Sequence, residues 1–365
     1  MKRHNRLKKH TLGLAAALLV TAGMSQIALA GDSVYVNTSS LRYRTSAQIK
    51  DNNIAGNLSY GQKLERVGTS GQWTMILLNG KKYYVSSAYV TSKKPASAGA
   101  VQTTSQTAAG AQTSGGTAIA LSSNYKYANY SKINSGTATL YRSTASNKKN
   151  KVVCVNAGHG TNGGGRVKTQ CHPDGSAKVT GGTTGAGATS AVAVSSGMTF
   201  ADGTAESKVT LAMAKVLKTK LLNAGYDVLM IRESDDVQLD NIARTVIANN
   251  NADCHIALHW DSTSSNKGAF FMSVPSNATY RAMEPVASHW KQHNQLGESL
   301  ISGLKSAGVK IYSKGSMEMD LTQTAYSTIP SVDIELGDKA SDHSGATLET
   351  LANGLLTGVN TFFGQ

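Results

Sequence analysis

Between Lys151 and Gln365 the chain alternates short, nearly continuous apolar runs with longer stretches whose apolar residues recur every three or four positions. Runs of four to eight apolar residues read as strands buried on both faces, and the longer periodic stretches read as helices. Strand candidates are 152–156, 227–231, 254–259, 268–274 and 331–336; helix candidates are 206–224, 239–250, 285–307 and 347–362. The last helix places Leu348, Leu351, Leu355, Val359 and Phe362 at helical spacing. This alternation predicts an α/β domain, a sheet covered by helices on both faces. Sites in such folds gather at the carboxyl ends of the strands.

The remainder divides by composition. Residues 1–30 open with Lys2, Arg3, Arg6, Lys8 and Lys9, continue as a Leu/Ala/Val run and end in Ala28-Leu29-Ala30. That order is expected of a cleaved secretory signal peptide, the apolar run being short for a membrane span. Residues 31–92 read as a small, turn-rich all-β unit in which Asn79-Gly80 between apolar runs marks a hairpin. Residues 93–123 are rich in Ser, Thr, Ala, Gly and Gln and are expected to be a flexible linker. Tyrosines return from 124 onward, and 124–142 is expected to supply a strand edging the next domain, 124–365, whose core is 151–365.

The net charge of +14 is unevenly spread. Residues 31–150 carry fourteen basic and three acidic side chains, net +11, whereas 151–365 carry seventeen and nineteen, net −2. A near-neutral C-terminal half argues against nucleic acid as partner, and a cationic front half on an exported chain suits anionic cell-wall polymers. Cys154, Cys171 and Cys254 form no disulfide framework; Cys154 and Cys254 lie in apolar runs and are expected to act as small hydrophobes. Cys171-His172 offers two polar ligands, short of a metal site.

Chemistry concentrates where strands end. His159 follows the strand 152–156 and is flanked by Gly158 and Gly160, His259 closes 254–259, Glu335 stands near the end of 331–336, and Glu206 opens a helix. Two histidines and one carboxylate form a catalytic zinc arrangement, and a further carboxylate can serve as general base. Duller readings stand beside this one. A glutamate in a first helical turn is favoured by the macrodipole alone. His255 lies on the strand face of His259 but about 13 Å back, as a core histidine would. His289 and His293 are spaced as a zinc pair, yet Trp290 stands where a metallopeptidase helix carries its glutamate, so a solvated or boundary face is expected. Asp333 shares the strand face of Glu335 and competes for the role of base.

Four segments, VVCVNAGHG at 152–160, GTAESKVTLAMAKVLKTKLLNAGYDVLMIRESD at 203–235, NIARTVIANNNADCHIALHWDS at 241–262 and IPSVDIELG at 329–337, together resemble the zinc-dependent N-acetylmuramoyl-L-alanine amidases, in family order. The resemblance implies Zn²⁺ held by His159, Glu206 and His259, with Glu335 as catalytic glutamate and peptidoglycan as substrate. It departs at Asn156-Ala157, where the family commonly has Asp-Pro, and at His255, where the family has an apolar residue. Residues 161–200 form a long Gly/Thr/Ser/Ala insert that joins two of these ligands and is expected to border the cleft. Residues 36–44, 58–67, 71–73 and 80–90 resemble bacterial SH3-like modules, which implies a cell-wall-binding barrel in front of the enzyme. The expected protein is thus a secreted, wall-associated hydrolase without an integral membrane segment; a stem-peptide zinc peptidase or an inactive wall-binding protein are the rival readings.

Overall fold

A computed structural model describes residues 32–37, 40–48, 53–59, 61–94 and 115–365. The signal-peptide reading of 1–30 and most of the linker reading of 93–123 lie outside the described residues. The chain forms two compact units, 1–107 and 108–365.

Among its described residues the first unit contains seven strands, β1 (Asp32–Val36), β2 (Ser40–Arg44), β3 (Ile54–Ser59), β4 (Lys63–Ser70), β5 (Trp73–Leu78), β6 (Lys81–Ser86) and β7 (Val90–Thr91). They pair antiparallel in the order β3-β2-β6-β5-β4-β1-β7. Alternating residues Val34, Val36, Leu41, Leu58, Leu64, Ile76 and Val85 make its core. Asn79 and Gly80 both have positive φ (51° and 74°), the mirror-image turn that matches strand twist, so β5 and β6 close as the hairpin expected.

The second unit is built on an eight-stranded mixed sheet flanked by helices. Its strands are β8 (Thr117–Ala120), β9 (Thr137–Tyr141), β10 (Val152–Ala157), β13 (Asp227–Met230), β14 (Cys254–Asp261), β15 (Ala269–Ser273), β16 (Ile311–Glu318) and β17 (Ser331–Asp338), ordered β16-β15-β17-β14-β10-β13-β9-β8. β11 (Lys168–Gln170) and β12 (Ser190–Val192) form a separate antiparallel ribbon within the insert. The four central strands β17, β14, β10 and β13 are parallel. Strand β8 falls inside the stretch 93–123 read as linker: Thr117–Ala120 pairs antiparallel with β9.

Alternation along the central strands feeds two cores. Val153, Val155 and Ala157, with Ile256, Leu258, Val332 and Ile334, pack with helices α1 (Glu206–Asn223), α4 (Val286–Ser306) and α6 (Gly345–Phe363). Cys154 and Leu229 on the other face meet Ala243 and Ile247 of α2 (Asn241–Asn251). Short helices α3 (Ala278–Ala282) and α5 (Thr322–Tyr326) complete that side. Helix α2 starts two residues later than its pattern suggested, because Asp240 accepts a hydrogen bond from the Ala243 N–H at 2.8 Å and so fixes the N-cap. α4 and α6 touch through glycine: a Cβ at Gly303 would meet the Gly354 carbonyl at 2.2 Å. Among the described residues no helix is long and apolar enough to cross a membrane.

Candidate active site

Three adjacent parallel strands deliver three side chains to one edge. β10 ends at Ala157 and turns through Gly158 into His159; β14 carries His259; β17 carries Glu335, whose register partner is His259 itself. The fourth residue, Glu206, is the first residue of α1 and is 2% exposed. His159, Glu206 and His259 converge so that their ligand atoms lie within 4.8 Å of one another, the one such group of three among the described residues. His159 Nε2 stands 2.8 Å from Glu206 Oε1, and His259 Nδ1 lies 3.0 Å from His159 Nε2 and 3.1 Å from Glu206 Oε1.

The surroundings orient these atoms. The Ser195 carbonyl, 2.9 Å from His159 Nδ1, can only accept, so that nitrogen carries the proton and Nε2 faces the trio with a lone pair. Glu206 is held by backbone donors, Met198 N–H to Oε2 at 2.8 Å and Trp260 N–H to Oε1 at 3.0 Å. Asp333 Oδ2 lies 3.7 Å from His259 Nε2, the nitrogen turned away from the trio. Glycines make room. A Cβ on Gly158 would sit 2.2 Å from His259 Cε1, and one on Gly197, at φ +80°, would sit 2.7 Å from His159 Cδ2.

His159 has φ +63°, a left-handed backbone that a non-glycine residue adopts at a cost. Two buried arginines hold it. Arg244 spends all five N–H donors there: Leu239 O, Asn156 Oδ1, Ala157 O, His159 O at 2.7 Å and Thr161 Oγ1. Arg232 donates to the carbonyls of Ala157, Gly158, Ser207 and Ser234 and to Thr210 Oγ1. Sequence reasoning passed over both. Arg244 did carry a signal, a charge on the otherwise apolar face of a predicted helix; Ser195 and Gly197 carried none.

The Asn156 departure is satisfied within the fold. Its Oδ1 must accept from Arg244, so its Nδ2 donates to His255 Nε2 at 3.2 Å. His255 is fully buried, as a core histidine, and burial followed by Arg244 pulls its pKa down to about 3. His293 differs from the solvated or boundary position expected of it: it is 2% exposed and its Nδ1 accepts the Ser331 N–H at 2.9 Å, because α4 turns this residue onto β17. Cys171 is buried and His172 is spent on Ser176 and Asp320, so this pair joins no metal cluster among the described residues.

Electrostatics divide the acids. Burial opposes ionisation of Glu206, but the imidazoles of His159 and His259 beside it hold its carboxyl well below the usual range. Burial works against the His259 imidazolium, yet Asp333 first and Glu206 next raise its pKa to about 10. Burial lifts Asp333 and, further, Glu335 above the ordinary carboxyl values, in the latter case opposed by His259 and reinforced by Asp333. Glu335 Oε2 has no hydrogen-bond partner although it is buried. All these groups line a cleft of about 520 Å³, within the size range of small-ligand sites. The insert supplies one wall of it, through Lys178, 182–184, 191–192 and 194–198.

The Amidase_3 family model, described as N-acetylmuramoyl-L-alanine amidase, matches residues 153–355, more than half of the chain. Among solved structures the chain is similar to the N-acetylmuramyl-L-alanine amidase Ami1 from Mycobacterium smegmatis, at 18% identity over 60% of this chain and 99% of that one, with a TM-score of 0.49. It is also similar to Ami1 from Mycobacterium abscessus, at 21% identity over 58% and 98% with a TM-score of 0.42. A third similarity is to the N-acetylmuramoyl-L-alanine amidase from Clostridium difficile 630, at 18% identity over 59% and 97%, again with a TM-score of 0.42. No curated protein matches it. With its matched segment running from β10 into α6 and including all four cleft residues, the chain belongs to the N-acetylmuramoyl-L-alanine amidase family.

Proposed function

We propose that the protein is an exported, zinc-dependent N-acetylmuramoyl-L-alanine amidase that hydrolyses the amide between the lactyl group of N-acetylmuramic acid and the L-alanine of the peptidoglycan stem. The observation that carries the reading is the convergence of two imidazole nitrogens and one carboxylate oxygen beside a buried carboxylate oxygen that has no partner. Two nitrogens and one oxygen are a donor set that suits catalytic zinc, which leaves a fourth position for water or substrate. His159, Glu206 and His259 would hold the ion. Zinc, when bound, supplies Lewis acidity at the scissile carbonyl and makes water a stronger acid.

The protein's own groups do the rest. Glu335 takes the proton of the attacking water and returns it to the departing amine nitrogen, so that the C–N bond breaks with a neutral amine leaving. A carboxyl lifted by burial suits both directions of that transfer. Asp333 stands beside His259 Nε2, so its carboxylate stabilises that imidazole, whereas Glu335 Oε2 is unengaged; this contrast favours Glu335 as the base. Residues 31–92 would serve as an SH3-like module whose net positive charge favours anionic wall polymers, with 1–30 directing export.

Two outcomes follow. In the metal-free protein His259, raised to about 10, is protonated at neutral pH. Its stabilising contribution is complete below its ordinary value near 6.5 and fades as pH rises through 10. Zinc must displace that proton, so affinity should rise up to roughly tenfold per pH unit between pH 7 and 9, with close to one proton released per ion by calorimetry in buffers of different ionisation enthalpy. Affinity independent of pH there would contradict the raised pKa of His259. Gly158→Ala should lower zinc affinity by about 10–100-fold with the fold retained, since the Cβ occupies the place of the His259 ring; equilibrium dialysis with circular dichroism checks it.

A further inference from the structure

Strands β8 and β9 are antiparallel neighbours, and about two to five residues suffice to join such a pair. Here the connection takes residues 121–136, all of which precede the segment matched by the family model. Its hydrogen bonds run in two directions. One is towards α2. Asp240, fully buried at the N-cap, accepts on Oδ2 from Ser131 Oγ at 3.0 Å and from the Lys132 and Ile133 N–H groups at 2.6 and 2.8 Å, and keeps Oδ1 for the cap. Its own N–H donates to the Ile133 carbonyl at 2.7 Å. The next residue, Asn241, lines the cleft and donates its N–H to the Ala193 carbonyl of the insert at 3.1 Å.

The other direction is the insert itself. The Tyr130 hydroxyl donates to the Pro173 carbonyl at 3.0 Å. The rings of Tyr127 and Tyr130 each stand 5.5 Å from the ring of Tyr326, edge to face, and the fully buried Tyr326 donates its hydroxyl to the Gln170 carbonyl at 3.2 Å. Gln170 ends β11. The pairs Thr169 with Ala191 and Lys168 with Val192 then tie β11 to residues 191 and 192 of β12, which line the cleft. Asp320, in the turn between β16 and α5, holds a different part of the insert, accepting from His172 Nε2 at 2.8 Å and the Val179 N–H at 2.7 Å and pairing with Lys178. None of those contacts involves a residue of the ribbon.

We infer that residues 121–136 are a strap that holds the β11–β12 ribbon in place as a wall of the cleft, with Tyr130 and Asp240 as positioning residues, so that substrate binding depends on a segment outside the hydrolytic centre. Among the described residues no hydrogen bond or ring contact joins the strap to His159, Glu206, His259 or Glu335. Ser195 and Met198, which orient His159 and Glu206, lie beyond the ribbon and bond to those residues directly. Loosening the strap therefore moves KM and leaves kcat and zinc content in place.

This inference rests on the amidase reading, and the readouts separate the two. The zinc-loaded full chain is assayed on soluble N-acetylmuramoyl-peptide fragments as Tyr130→Phe, which removes only the hydroxyl, and as Tyr130→Ala, which also removes the ring against Tyr326. Tyr226→Phe is the control: it removes a comparable bond, to Asn360 Oδ1 at 2.8 Å, and neither residue lines the cleft. The expected result is a KM raised by about 2–10-fold in Tyr130→Phe, the worth of one hydrogen bond, and further in Tyr130→Ala, with kcat within about twofold of wild type. Amide hydrogen exchange should quicken in 168–173 and 189–192, and Tyr226→Phe should change neither KM nor that exchange. An unchanged KM in folded Tyr130→Ala, a fall in kcat in place of the rise in KM, or the same rise in Tyr226→Phe would overturn the strap while leaving the amidase standing. Should Tyr130→Ala fail to fold, Tyr130→Phe decides on the same readouts. Wild-type protein that leaves the N-acetylmuramoyl amide intact would defeat the amidase reading itself, and hydrogen exchange alone then decides the strap: exchange in the ribbon unchanged by Tyr130→Phe overturns it.

Discussion

Glu335→Gln is expected to lower hydrolysis by about 10²–10⁴-fold, the usual worth of a positioned general base and acid, while the fold and the metal trio persist. The substitution is isosteric. It changes a buried atom, Oε2, that no other group uses, so no structural bond is lost with the charge. Glu335 also lies outside the three-residue cluster of ligand atoms, so the substitution leaves that donor set unchanged. Steady-state rates on cell-wall fragments, measured beside zinc content per chain, check both halves. Asp333→Asn provides the contrast: it relieves the carboxylate 3.7 Å from His259 Nε2, so its effect should appear first in metal affinity. If Glu335→Gln were fully active and Asp333→Asn inert, the two carboxylates would have to exchange roles.

Arg244→Met is expected to be the most damaging single change to stability. Arg244 is 1% exposed and its guanidinium supplies donors to Asn156 Oδ1 and to the carbonyl of His159, the residue held at φ +63°. Removing it orphans those two buried acceptors at about 1–3 kcal/mol each, so a total loss of about 2–6 kcal/mol is expected. Burial also pulls the guanidinium pKa down to about 9, with Arg232 adding to the effect and Asp240 opposing it. Denaturant unfolding gives the loss directly. A decrease below about 1 kcal/mol would mean that the loop is held chiefly by Arg232 instead.

What was legible in the sequence follows from periodicity and from the strand-end rule. The central strands β10, β13, β14 and β17 are mostly buried and therefore rich in apolar residues, and the long helices α1, α4 and α6 repeat apolar residues over many turns. His159, His259 and Glu335 stood out because each closes one of those strands. Edge elements were invisible for the converse reason: β16 (IYSKGSME) and β8 (TAIA) are solvated on one side and carry little pattern. The insert read as loop from its Gly, Thr and Ser, yet it is a fixed wall, because the bonds that fix it join residues such as His172 and Asp320, 148 positions apart. No local pattern encodes such a contact. His293 was misjudged on the same account, its partner Ser331 being 38 residues away.

The central claim is that the His159, Glu206 and His259 trio and Glu335 together cut one particular amide. The most direct measurement incubates the purified chain with peptidoglycan after chelation and again after zinc is restored, and identifies the released fragments by mass spectrometry. Zinc-dependent release of intact stem peptides with free L-alanine amino termini is the predicted result. Cuts within the stem, or release unaffected by chelation, would contradict it.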